Sequence, residues 1–95
     1  MAKLTELELT QALGQVPGWI RAGPNITRMF NFKDFPDAMR FVNRVAELAE
    51  AADHHPDIDI RGNKVLLALS THSEHGLTQK DLDLARKIST AQGGK

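Results

Sequence analysis

The sequence predicts an α+β fold, a four-stranded antiparallel sheet with three helices on one face, in the order helix, hairpin, helix, hairpin, helix. Three observations predict it. Two pairs of β-prone runs are each interrupted by a glycine-containing turn, Gly23-Pro24-Asn25 and Gly62-Asn63. Between the pairs, residues 35–52 repeat apolar side chains at the helical period of 3.6. Capped apolar stretches at either end supply the first and last helices.

In chain order, Thr5-Glu-Leu-Glu8 has capping-box spacing and opens a short helix through Leu7, Leu9 and Leu13 that ends at Gly14. Trp19–Ala22 and Ile26–Phe32 form the first hairpin, with Ile26, Phe30 and Phe32 on one face; Pro24 lacks an N–H and must lie outside the ladder. Asp34 caps the long helix and Pro36 fits its first turn. Phe35, Ala38, Met39, Val42, Val45, Ala46, Ala49 and Ala52 form its stripe, which Phe41 and Leu48 widen beyond one face. That excess predicts a homo-oligomer, dimer or tetramer, associating through the long helix or a sheet edge. Pro56 disfavours α geometry at His55, so the helix ends about there. Leu77 and Leu82 staple the start of a last helix whose face is Leu84, Ala85, Ile88 and Ala91, stopping near Gly93-Gly94.

The 95 residues fit a single domain spanning 1–95, burying about two-thirds of the surface of the unfolded chain. Twelve basic and twelve acidic residues cancel. With a pI of 6.9 and no cluster of Lys or Arg, there is no electrostatic footprint for nucleic acid. The chain has no cysteine, hence neither disulfides nor thiolate chemistry. The acidic start through Glu6 and Glu8 predicts no cleaved signal peptide, and no segment reaches the ~18 apolar residues of a membrane span. A soluble, cytoplasmic protein that does not enter membranes is expected.

All four histidines lie between Glu50 and Asp81. If Gly62 and Asn63 are the turn residues, Arg61 faces Lys64, Ile60 faces Val65 and Ile58 faces Leu67, and the same register continued places His72 opposite Asp53. Directly opposed residues sit within roughly 6 Å. His54, His55 and His72 therefore converge as acid/base candidates, each side chain having an unperturbed pKa of about 6.5.

The same stretch resembles the signature of the pterin-4a-carbinolamine dehydratases: Glu50, His54-His55-Pro56, Leu69-Ser70-Thr71-His72, Gly76-Leu77-Thr78 and Asp81. The likeness extends upstream through Gly18-Trp19 and Phe30-Asn31-Phe32-Lys33-Asp34-Phe35, so it covers most of the chain. This sequence departs from the pattern at Ile58, Asp59 and Gly62, where family members often carry aromatic residues; His75 has no counterpart to carry over. The resemblance implies the same α+β arrangement. It implies a hydro-lyase that converts a 4a-hydroxytetrahydropterin to a quinonoid dihydropterin and water, with His54, His55 and His72 catalytic. Asp81, Glu50 and Trp19 would contact the substrate. Protonating the departing hydroxyl and removing a ring N–H proton needs neither cofactor nor metal, and positioned acid/base groups contribute ~10²–10⁴-fold.

Each residue also has a plainer reading. A histidine pair before proline often forms a solvated helix end. Glu50 shares a helical face with His54 if the helix reaches that far, and otherwise is a solvated carboxylate. Asp81, third after Thr78, suits the reciprocal half of a capping box, and Trp19 suits core packing. Three histidines and a carboxylate also suggest zinc, although adjacent histidines point in different directions from the chain. Animal members of the family also act as dimerisation cofactors for a homeodomain transcription factor; no residue here specifies such a partner.

Overall fold

A computed structural model describes residues 2–93. The elements are α1 (Glu6–Leu13), β1 (Ile20–Ala22), β2 (Asn25–Asn31), α2 (Phe35–Ala52), β3 (Asp57–Arg61), β4 (Lys64–Leu69) and α3 (Gln79–Gly93), with a 3-10 turn at His72–Glu74 before α3. The strands form one antiparallel sheet ordered β1-β2-β4-β3. The predicted order and fold class are those observed. Gly94, named for the end of the last helix, lies outside the described residues.

Local chemistry accounts for the element boundaries. Thr5 and Glu8 exchange both capping-box bonds, at 2.9 and 3.1 Å. Asp34 accepts from the Asp37 N–H at 3.0 Å at the start of α2. The β3–β4 register is the predicted one, with Ile60 opposite Val65 and Ile58 opposite Leu67. In both hairpins the first of two turn residues is a glycine at positive φ, 61° at Gly23 and 59° at Gly62. That is the type II′ geometry, which matches strand twist and admits glycine without strain. Asn25, expected in the first turn, instead pairs with Ala22. Pro24 is thereby left in the turn, outside the ladder.

The pleat divides the sheet into unlike faces. Ile26 and Phe30 on β2 and Val65, Leu67 and Leu69 on β4 are buried under the helices, whereas Ile20 and Met29, pointing the other way, are 65% and 48% exposed. From α2 come Ala38, Phe41, Val42, Val45 and Ala49, and from α3 Leu82, Leu84, Ala85 and Ile88.

Two readings of the helical stripes need correction. Phe41 is not a surplus apolar residue facing a partner; its ring centroid lies 4.7 Å from that of Phe30 and 5.0 Å from that of Phe32. The aromatic residues around β2 form its socket, and α2 turns to fill it, so that Phe35 ends 53% exposed. On α1, Leu9 is buried while Leu7 points outward.

The end of α2 is the feature that positions the site. Asp53 adopts the left-handed conformation, φ 51° and ψ 45°. Its N–H reaches Glu50 O at 3.2 Å, and the His54 N–H reaches Ala49 O at 3.0 Å. This is the Schellman pair of bonds, which satisfies the last carbonyls and swings the chain off the helix axis. Aspartate enters that conformation more readily than most residues.

Leu67→Ala is expected to lower the unfolding free energy by ~2–5 kcal/mol, and Met29→Ala by less than ~1 kcal/mol, as read by urea denaturation. A larger loss at Met29 than at Leu67 would place the core on the wrong face.

Candidate active site

The Schellman turn separates two adjacent histidines. His54 is directed inward and is 9% exposed, while the His55 side chain stays 60% exposed. Glu50 does not pair with His54. Its carboxylate meets His55 Nε2 at 2.9 Å. An i,i+4 contact with His54 requires helix through that residue, but α2 stops at Ala52 and the left-handed Asp53 rotates His54 away.

His72 reaches the same place by a different route from the one the register suggests. Strand β4 ends at Leu69, so no ladder continues to residue 72. Thr71 and Gly76 close the loop instead: the Thr71 N–H donates to Gly76 O at 2.8 Å, and the Gly76 N–H to Thr71 O at 3.4 Å. The enclosed 3-10 turn, ended by His75 at φ 58°, presents His72 at the surface. His54, His55 and His72 line one open cleft of about 260 Å³ together with Asp53, Ser70 and Lys80.

Beneath the cleft lies Asp81, with no exposed surface. Its Oδ2 accepts from the Thr71 hydroxyl at 2.8 Å and from the Thr78 N–H at 2.9 Å; its Oδ1 lies 2.6 Å from His54 Nε2. Asp81 therefore completes the cap of α3, as one sequence reading expects, and also grips an imidazole. The N-terminus of α3 adds the positive end of its dipole to these donors. Since a carboxylate only accepts, His54 must carry its proton on Nε2. No buried side-chain nitrogen or oxygen among the described residues lacks a partner, so Nδ1, which has none, reaches the surface. His54 is thus presented through a single, defined nitrogen.

Asp81 is wholly covered and meets the cleft through the two lining residues bonded to it, His54 and Thr71. Trp19 does not line the cleft. It is buried against Phe30, ring centroids 6.0 Å apart, and its indole N–H donates to Ser89 Oγ at 2.8 Å. His75 is exposed and also stands outside the cleft lining. Among the described residues no three His, Asp or Glu side chains are grouped to hold a metal ion. Sequence reasoning gave no role to the Thr71 side chain, although a hydroxyl beside a histidine and ten residues before a buried acid was a usable signal.

Asp81→Asn tests this arrangement. The amide oxygen must take the Thr78 N–H, which turns the amide nitrogen toward His54 and obliges Nε2 to accept. The ring proton should therefore move to Nδ1, as read by imidazole ¹⁵N shifts, with a stability loss of ~1–3 kcal/mol. An unchanged tautomer would contradict the assigned bond.

Comparison with known proteins places the chain in a family. The family model described as pterin 4 alpha carbinolamine dehydratase matches residues 2–91. A chain of Thermomicrobium roseum provisionally named pterin-4-alpha-carbinolamine dehydratase is 52% identical over 89 residues, 94% of this chain and 96% of that one. The crystal structure of a transcriptional coactivator/pterin dehydratase from Brucella melitensis superposes with a TM-score of 0.90 at 42% identity, covering 93% of this chain and 96% of that chain. A pterin dehydratase-like protein identified as a RuBisCO assembly factor in the alpha-carboxysome shares the fold, with a TM-score of 0.67 at 20% identity over 79% of this chain and 87% of its own. A family match from residue 2 to residue 91, joined to these relatives, makes this chain a member of the pterin 4 alpha carbinolamine dehydratase family.

Proposed function

We propose that the cleft dehydrates a 4a-hydroxytetrahydropterin to the quinonoid dihydropterin. The observation that carries this reading is the single accessible nitrogen of His54, fixed by Asp81, in a cleft shared with His55 and His72. A neutral imidazole held with Nε2–H on a carboxylate offers a lone pair at Nδ1, the requirement for a general base. In the proposed step, His54 takes the proton from the ring nitrogen beside C4a. The electrons of that N–H bond form the C=N bond as the C4a–O bond breaks. The departing hydroxyl receives a proton from His55 or His72, which are exposed in the same cleft and exchange protons with solvent. Water leaves and no net redox change occurs, so the step calls for no cofactor.

The roles of the surrounding groups follow. Glu50 steadies His55 through its 2.9 Å contact and belongs to the rim of the pterin site. Asp81 acts through His54. Trp19, within one chain, packs the core between Phe30 and Ser89.

Self-association belongs to the same reading, and Ile20 and Met29 on the open sheet face support it, Phe41 having been assigned to the core. Sedimentation at micromolar concentration is expected to give a species heavier than 10.5 kDa; a purely monomeric boundary would remove this part of the proposal. No helix among the described residues is long and apolar enough to cross a membrane. The cysteine-free composition suits a reducing cytoplasm.

Stopped-flow measurement of 4a-hydroxytetrahydropterin dehydration, with chelator present, is expected to show acceleration by the protein over the spontaneous rate. His54→Ala and His72→Ala should each lower kcat on the order of 10²-fold or more, with smaller changes in KM, because acid/base groups act chiefly in the transition state. A rate no faster than the spontaneous one would sink the proposal, and unchanged kcat with raised KM would reassign the histidines to binding.

A further inference from the structure

We infer that the Thr71 hydroxyl is a positioning group for His54, acting through Asp81 at the end of a one-directional hydrogen-bond relay. The relay can be followed donor by donor. The Lys80 N–H donates to Thr78 Oγ1 at 3.3 Å, and the two threonine hydroxyls lie 2.8 Å apart. The Thr71 hydroxyl lies 2.8 Å from Asp81 Oδ2. Because the carboxylate accepts, Thr71 must spend its one proton there, and the bond between the threonines must run from Thr78 to Thr71. Each hydroxyl orientation is therefore determined.

The relay holds the plane of the carboxylate. Two donors, the Thr71 hydroxyl and the Thr78 N–H, converge on Oδ2, which fixes the direction in which Oδ1 faces Nε2 of His54 at 2.6 Å. Thr71, Thr78 and Asp81 are all within the interior, at 6%, 0% and 0% exposure. Water has little access to replace a lost donor, so removal of one hydroxyl is felt at the imidazole.

Thr71 also joins the two halves of the cleft. Its backbone closes the Thr71–Gly76 bridge that frames the loop bearing His72, while its side chain fixes the acid that orients His54. A substitution confined to the side chain leaves the backbone bridge available, so the two contributions can be separated.

The inference rests on the dehydratase reading for its effect on rate, but its structural part is measurable without turnover. Thr71→Val removes the hydroxyl at nearly constant shape, and Thr71→Ser restores it. In the wild-type protein the His54 Nε2–H proton is expected as a resolved downfield NMR signal, protected by its bond to Asp81. Thr71→Val should broaden or abolish it through exchange, and Thr71→Ser should return it. In the dehydration assay Thr71→Val should lower kcat on the order of 10–100-fold with little change in KM, and Thr71→Ser should recover most of that loss. A resolved signal and full kcat in Thr71→Val would overturn the relay. If Thr71→Val does not fold, the wild-type Thr71 hydroxyl proton decides: slow exchange with solvent supports the relay, and fast exchange overturns it. Loss of the signal in Thr71→Val from a protein without dehydratase activity would sustain the relay and reject the assigned reaction.

Discussion

A buried carboxylate has few stable settings, and the one around Asp81 ties this structure together. A charge with no exposed surface must be met by donors, since burying it unmet costs far more than a surface ion pair contributes. Asp81 is met by the first turn of its own helix at Thr78, by the end of β4 through Thr71, and by the histidine just past α2. The end of α2 is thus held to the loop and helix start that follow β4, 27 residues along the chain. The cap that starts α3 and the grip on His54 share one carboxylate, so Asp81 caps its own helix and orients the imidazole at once.

That arrangement gives the cleft histidines in unlike settings. The left-handed Asp53 separates His54 from His55, so neighbouring residues present different faces: one ring is anchored inside by a carboxylate, the other is exposed and bonded to Glu50. The loop framed by Thr71 and Gly76 brings His72 to the same opening. Fold alone would not license a functional conclusion, since a chain with this fold at 20% identity is named as a RuBisCO assembly factor. The arrangement of the histidines supports the proposed chemistry.

Much of this was legible in the sequence because short-range chemistry dictated it. Gly62-Asn63 left room for one two-residue turn, and with it the register from Arg61–Lys64 to Ile58–Leu67 followed. The convergence of the histidines was likewise legible, although His72 arrives through a 3-10 turn and not a continued ladder. What could not be read depended on tertiary contacts. The direction of Phe41 is decided by Phe30 and Phe32, and the partner of Glu50 by a helix end that stops three residues earlier than the proline suggested. The relay from Thr78 to Thr71 to Asp81 exists only once α3 has docked against the end of β4.

The central claim is that Asp81 serves the reaction through His54 and by no separate path. A double-mutant cycle in kcat/KM measures this directly, with Asp81→Asn and His54→Ala made singly and together. If the carboxylate acts through the imidazole, removing Asp81 from a protein already lacking His54 should cost almost nothing further, and the double variant should match His54→Ala. Losses that multiply, each substitution exacting its full effect in the presence of the other, would contradict the account.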